Sequence, residues 1–268
     1  MRIARFAHPQ GVAFGVVEGP ADGSVTDSAD GDLSDLTVAE IAEHPFGPIE
    51  LSGRRWALPD VRLLAPILPT KIVGIGKNYA DHAAEMGGPP PERPVMFLKP
   101  STAVIGPGDA IRLPPDAQRV DHEAELAVVM GTVVRDVPRD RALATVLGYT
   151  CANDVTARDQ QQADGQWTRA KGHDSFCPLG PWIETGLDPD DIEVRAKLDG
   201  ELRQRSRTSL LLHDVATLIS YVSHVMTLLP GDVILTGTPA GVGPMAAGST
   251  VSVTVEGIGT LTNAVRAR

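Results

Sequence analysis

A β-rich α+β fold is predicted by three observations. Apolar residues recur in short alternating or β-branched runs. Turn formers are abundant, with 27 glycines and 22 prolines in 268 residues. Only a few stretches carry helical spacing, so the regular strand–helix alternation of a doubly wound sheet is missing.

The elements divide into two predicted units. Residues 1–68 form a small β-rich N-terminal domain. Residues 2–6 alternate as a strand and 11–17 as its hairpin partner. The segment 21–35, rich in Asp, Gly and Ser, reads as a loop. Residues 37–44 read as a short helix, with Thr37 as N-cap and Glu40 completing a capping box. Residues 61–66 lead out as a strand stopped by Pro66.

Residues 69–268 form the second unit. It opens with a buried strand at 71–76, then a helix at 79–86 capped by Asn78. The Gly- and Pro-rich segment 87–94 suits neither a helix nor a central strand. Strands follow at 95–99, 121–129 and 147–154, the last two separated by a helix at 138–146. A hairpin turns at Asp199-Gly200, between strands at 192–198 and 202–205. In a helix at 218–228, Leu218, Ile219, Val222, Val225, Met226 and Leu229 share a face. Strands at 233–236, 250–255 and 259–265 close the chain.

Composition narrows the function. A formal net charge of −10 argues against a nucleic-acid partner, which requires clustered Lys and Arg. Cys151 and Cys177 form no Cys-x-x-Cys pair, so zinc knuckles and thioredoxin-type chemistry are unsupported and buried thiols are expected. The first residues lack the apolar core of a signal peptide, and no apolar run is long enough to cross a membrane. A cytoplasmic protein without a membrane partner is expected.

The most informative stretch is Asp121-His122-Glu123-Ala124-Glu125-Leu126-Ala127-Val128-Val129. Side chains alternate along a strand, so Glu123 and Glu125 point the same way. Two like charges on a mostly buried strand repel and lose hydration, which calls for compensation. Asp154 ends a second apolar segment and adds a third carboxylate. Oxygen-only ligands suit Mg²⁺, Mn²⁺ or Ca²⁺ better than Zn²⁺. The alternative is a solvated pair on an edge strand.

Three further sets of residues could carry chemistry. His82 and Glu85 lie three apart on the predicted helix and can meet, which orients an imidazole as a general base; the alternative is a solvated helix face. Lys171 lies in a polar loop and could stabilise an enolate oxygen or bind a carboxylate, unless it is an ordinary surface lysine. His173 reads as structural. The glycine-rich loop at 236–243 brings backbone N–H groups within reach of an anion, but lacks the ending of a P-loop. Gly74-Ile75-Gly76 lacks the third glycine of a dinucleotide fingerprint, because Tyr79 stands there.

Taken in order, Gly76-Lys77-Asn78-Tyr79-Ala80-Asp81-His82, Phe97-Leu98-Lys99-Pro100-Ser101 and Asp121-His122-Glu123-Ala124-Glu125-Leu126 resemble the fumarylacetoacetate hydrolase family. So do Asn153-Asp154-Val155-Thr156-Ala157-Arg158-Asp159-Gln160, Lys171-Gly172-His173-Asp174-Ser175-Phe176 and Gly237-Thr238-Pro239-Ala240-Gly241-Val242-Gly243. The resemblance covers about residues 70–268. The small N-terminal unit also looks like one carried by many bacterial members.

The resemblance implies a mixed β-roll with a divalent-metal site, usually in a homodimer. It implies Glu123, Glu125 and Asp154 as ligands to Mg²⁺ or Mn²⁺, with Ca²⁺ as a substitute, and Lys171 beside them. It implies His82 and Glu85 as a lid dyad activating water. Lys77, Asn78, Tyr79, Arg158, Gln161 and Thr238 would contact the substrate, a small 2-oxo acid. Some hydrolase members carry arginine where Lys77 stands, so carboxylate recognition stays open there.

Three reactions share such a site. One is hydrolysis of the carbon–carbon bond of an acylpyruvate. Another is decarboxylation, of oxaloacetate for example. The third is isomerisation; this and decarboxylation would both also take 2-oxo or 2-hydroxy-diene dicarboxylates from aromatic catabolism, of the 5-carboxymethyl-2-oxo-hex-3-ene-1,7-dioate type. The dyad favours hydrolysis. A metal-dependent nuclease conflicts with the acidic charge, and a metal-stabilised 2-oxo acid binding protein is the non-enzyme alternative.

Overall fold

The computed structural model describes residues 1–19 and 34–268, so the loop expected at 21–35 lies almost wholly outside the described residues. The chain folds as a β-rich α+β protein of mixed sheets. The large sheet runs, in spatial order, through Leu51–Ala57, Thr37–Ile41, Gly11–Glu18, Arg2–His8, Cys177–Glu184, Val146–Asn153, Ala124–Met130, Val233–Leu235, Ile72–Gly76 and Val95–Lys99. The N-terminal strands therefore continue the sheet, joined through the pairs Arg2↔Glu184 and Ile3↔Ile183.

A second sheet orders Glu201–Arg207, Glu193–Leu198, Thr250–Val255, Gly259–Ala267 and Ile111–Leu113. It packs on one face of the large sheet together with the helix Val215–Val225. Asp214 caps that helix by accepting from the Thr217 N–H at 2.8 Å. Among the described residues no helix is long and apolar enough to cross a membrane.

The alternation expected at 121–129 positions the site. Ala124, Leu126, Val128 and Met130 enter the core between the sheets, whereas Ala127 and Val129 face a second cluster with Ile72, Val233 and Leu235. Each fully buried Leu or Val contributes about 1.5–3 kcal/mol. Slipping this strand by one residue would exchange the two sets, so its register is strongly specified. Glu125 shares the face of Ala127 and Val129 and is placed by that register.

Four local expectations are corrected. Residues 37–44 are not a helix: Thr37–Ile41 is a strand between Gly11–Glu18 and Leu51–Ala57. Glu40 makes no capping box; it accepts from Arg54 and from the Trp56 indole. Cross-strand pairing outweighs the local helical signal. Asn78 does not cap the helix Ala80–Glu85, whose N-cap Tyr79 makes no side-chain cap. Lys171 is not in a loop but on the short helix Thr168–Gly172. The helix expected at 138–146 is confined to Arg139–Ala142 and a 3₁₀ turn Leu143–Thr145.

Candidate metal centre

Glu123 interrupts two strands, Val120–His122 and Ala124–Met130. Its N–H donates to Asn153 Oδ1 at 2.9 Å, and the Asp154 N–H donates to the Glu123 carbonyl at 2.9 Å. Together with the register Ala124↔Asn153, these bonds bring Asp154 against the Glu-x-Glu pair. One carboxylate oxygen from each of Glu123, Glu125 and Asp154 lies within 4.8 Å of the others, and all three residues are buried. The reading of a solvated edge pair is thereby excluded.

Cations compensate two of the three carboxylates. Lys171 Nζ lies 2.8 Å from Glu123 Oε2 and 2.6 Å from Asp154 Oδ2. Lys99, fully buried, pairs with the other oxygen of Asp154. Arg158 pairs with Glu123 and, through Nε, with Asp121 at 2.9 Å. Glu125 forms no ion pair among the described residues and accepts the Gly237 N–H at 2.6 Å.

The electrostatics follow this division. Burial pushes Glu123 up, but Lys171, Arg158 and His82 outweigh it and hold the carboxyl well below the usual range. Burial, Asp154 and Glu123 raise Glu125 well above its ordinary value. Burial lowers the Lys171 ammonium, but Asp154 and Glu123 reverse that shift and raise it. Three converging buried oxygens, one lacking a cation, are a donor set that fits a hard divalent ion.

The helix Ala80–Glu85 places His82 Nδ1 3.2 Å from Glu85 Oε2. Glu85 also accepts the Gly241 N–H at 3.1 Å, which ties the helix to the glycine-rich loop. His82, Glu123, Glu125 and Lys171 share a cavity of about 160 Å³ with Lys77, Arg158, Gln161 and Thr238. Lys77 turns the chain from strand to helix with φ 55°, in the left-handed region.

Two residues expected at the substrate stand behind this cavity. Asn78 donates to the carbonyls of His213 and Thr236 at 3.0 and 2.8 Å, and accepts the His213 N–H at 2.9 Å. Tyr79 is buried, and burial, then Glu125 and Asp81, raise its phenol. His173 faces Gln160 Oε1 at 2.7 Å, in keeping with a structural role.

Sequence reasoning missed Lys99 and Asp121 as charge partners and Gln204 as a tie. Gln204 accepts the Ala124 N–H at 2.9 Å and donates to Thr238 Oγ1 and the Pro239 carbonyl, both at 2.8 Å. Lys99 could have been flagged as a charge ending an apolar strand; Gln204, in an alternating hairpin strand, carries no such signal. Gly74 and Gly76 also acquire a reason. A Cβ at Gly74 would lie 2.2 Å from the Phe97 ring, and one at Gly76 2.5 Å from Trp167. They admit aromatic rings beside Lys171, whose Nζ lies 4.9 Å from the Phe97 centroid.

Comparison with known proteins supports the same assignment. The family profile described as Fumarylacetoacetate (FAA) hydrolase C-terminal matches residues 71–266, and one described as Rv2993c-like, N-terminal matches residues 1–66. A Mycobacterium smegmatis structure described as 5-carboxymethyl-2-hydroxymuconate delta-isomerase is 59% identical, with TM-score 0.91 over 100% of both chains. A Mycobacterium marinum structure described as 2-hydroxyhepta-2,4-diene-1,7-dioate isomerase is 54% identical, with TM-score 0.90 over 100% of this chain and 99% of the other. A fumarylpyruvate hydrolase from Pseudomonas aeruginosa, in complex with Mn²⁺ and pyruvate, is 32% identical; it aligns with TM-score 0.71 over 75% of this chain and 91% of its own. With its buried carboxylate cluster and a profile match across most of its length, the chain belongs to the fumarylacetoacetate hydrolase family.

Proposed function

We propose that this protein is a divalent-metal-dependent hydrolase that cleaves a carbon–carbon bond in acylpyruvate-type 2,4-dioxo acids. The observation that carries the reading is His82, held by Glu85, opening onto the same cavity as Glu123 and Glu125. The cavity, about 160 Å³, is small against the roughly 300–1,000 Å³ of drug-sized ligand sites, which favours a short acid.

Glu123, Glu125 and Asp154 would hold Mg²⁺ or Mn²⁺, which when bound would draw electron density from the 2-oxo acid group. Glu85 holds His82 by its Nδ1, so the other ring nitrogen, Nε2, takes the proton of an attacking water. The water oxygen bonds to the distal carbonyl carbon. The adjacent carbon–carbon bond breaks and leaves its electron pair on the pyruvate fragment, which takes up a proton. The products are pyruvate and a carboxylic acid. Lys171 places positive charge where negative charge develops, while Lys77, Gln161 and Thr238 orient the acid. Arg158, engaged by Asp121, Glu123 and Gln161, contributes a fixed charge at the wall. The reading includes residues 69–268 as the catalytic unit, with residues 1–68 beside it, and a cytoplasmic homodimer; light scattering after gel filtration tests the assembly.

The runner-up is an isomerase or decarboxylase of 2-oxo or 2-hydroxy-diene dicarboxylates; the descriptions of the two mycobacterial structures support the isomerase. An isomerase uses the dyad to move one proton between carbons, and a decarboxylase needs no water. Chelator-stripped protein resupplied with Mg²⁺ or Mn²⁺ is incubated in parallel with acetylpyruvate, fumarylpyruvate, oxaloacetate and a 2-hydroxydienedioate. Release of pyruvate and a carboxylic acid from an acylpyruvate is expected. Turnover of the dienedioate alone or of oxaloacetate alone moves the assignment to isomerase or decarboxylase.

A further inference from the structure

A second cleft, of about 520 Å³, lies away from the carboxylate cluster, between the N-terminal strands and the turn at Pro230-Gly231. Its walls include Arg5, Phe14, His44, Phe46, Ile67 and Gly231. Arg5 sits on the strand Arg2–His8, opposite Phe14 on one neighbour and Leu64 on the other. Alternation gives it the same face as Ile3, which is fully buried in an apolar cluster with Phe14, Phe46 and Ile67. An arginine therefore stands at a core-facing position.

Among the described residues its charge is unmatched. Arg2, Arg158, Arg195 and Arg207 are likewise buried or half-buried, and each has a carboxylate oxygen within 4.0 Å. Arg5 has no acidic or hydrogen-bonding partner among the described residues. Burial alone acts on its guanidinium and lowers it. A half-buried cation without a partner carries a desolvation cost, and a guanidinium offers a planar fork that matches a carboxylate.

The surroundings specify the rest of the ligand. The His44 ring lies 4.7 Å from Phe14 at 62° and 4.7 Å from Phe46 at 32°, forming an aromatic wall beside the cation. Such a wall favours a flat π-system in stacked or edge-on contact. At Gly231, φ is +86° and a Cβ would come within 3.1 Å of Phe46, so the turn closes tightly against the ring.

We infer that this cleft binds a small aromatic carboxylate, with Arg5 gripping the carboxylate and Phe14, His44 and Phe46 holding the ring. The test is calorimetric titration of the full chain with benzoate, with benzyl alcohol and acetate as controls lacking the charge and the ring. Benzoate is expected to saturate one site per chain, with both controls about tenfold or more weaker. Arg5→Gln is expected to weaken benzoate by about tenfold or more while leaving turnover of the catalytic substrate unchanged. Phe46→Leu, which keeps the charge, provides a second reading if Arg5→Gln does not fold, and should also weaken benzoate. Absence of saturation, or equal affinity in the variants, overturns the assignment. So does a dimer that dissociates in Arg5→Gln, because a second copy of the chain would then occupy the cleft.

Discussion

Asp232 and Glu125 are buried carboxylates at opposite ends of one antiparallel strand pair, in which Ala127 faces Leu235 and Val129 faces Val233. Asp232 is saturated. It accepts from the Leu229 N–H at 2.7 Å, the Lys71 N–H at 3.2 Å and the Thr70 hydroxyl, and it pairs with the Lys71 ammonium. Glu125 receives one backbone N–H and faces two further carboxylates. Burial is the same at both ends, so burial alone does not mark a functional site. Excess like charge does, because it leaves a cost that a ligand can offset.

The largest effects should separate these two ends. Glu125→Gln is expected to lower metal-dependent turnover by about a thousandfold or more, since several kcal/mol of charge stabilisation depends on the ligand set. It should leave the chelator-treated protein at least as stable, because glutamine avoids the cost of placing a titratable carboxyl beside two buried carboxylates. Asp232→Asn should do the reverse. It should destabilise the fold by about 3 kcal/mol, the low end for a broken buried pair because Lys71 is partly solvated, while turnover per folded molecule is preserved. Urea unfolding beside metal-dependent kinetics reads both effects; a stable, inactive Asp232→Asn would undo the distinction.

Within the reactive end, His82→Ala should slow hydrolysis by about a hundred- to ten-thousandfold, the range for a lost general base. Decarboxylation of a 2-oxo acid, which needs no attacking water, should change far less. Parallel kinetics on an acylpyruvate and on oxaloacetate make the comparison. Equal losses would assign the dyad to positioning the lid rather than to proton transfer.

The pH dependence should be smaller but opposite to the usual carboxylate case. Folding raises Glu125 above its ordinary value of 4.5, so the folded chain holds a proton that the unfolded chain has released. The stability tied to that proton is fully present below the unfolded pKa and is lost as pH rises through the folded one. Chelator-treated protein should therefore melt at progressively lower temperature as pH rises from about 4.5 toward the raised value, and the increment in Tm on adding Mn²⁺ should grow over the same window. Glu125→Gln should abolish the trend, as measured by thermal unfolding across a pH series.

What could be read in advance from residues alone follows the range of the interaction. Glu123 and Glu125 were legible because alternation of period two is a local property, and Asp154 because a carboxylate ends an apolar run. Lys171 reads as a loop residue in the sequence, since a five-residue helix has too little periodicity to show. The segment 37–44 carried a capping-box pattern, yet two flanking strands supplied partners that no local window contains. Gln204 was invisible for the same reason. Its partners are 34 to 82 positions away, and its own strand reads as an ordinary exposed hairpin.

Cys177 supplies the smallest expected effect and a third kind of buried group. It lies near Asp154 and Glu125, and burial, with those charges, pushes its thiol up to about 12. Burial likewise pushes Cys151 up to about 12, and its Sγ donates to the Gly259 carbonyl. A thiol at that pKa has almost no thiolate at neutral pH, so neither residue can act as a nucleophile or a soft metal ligand. Cys177→Ala and Cys151→Ala should therefore leave turnover within about twofold and reduce stability only by the small cavity each creates. In native protein both thiols should resist a disulfide reagent that labels them readily after unfolding. Rapid labelling of Cys177 coupled to loss of activity would mean that the apolar face behind the carboxylates opens during turnover, and Glu125 would then owe its raised pKa to only one of the states the site visits.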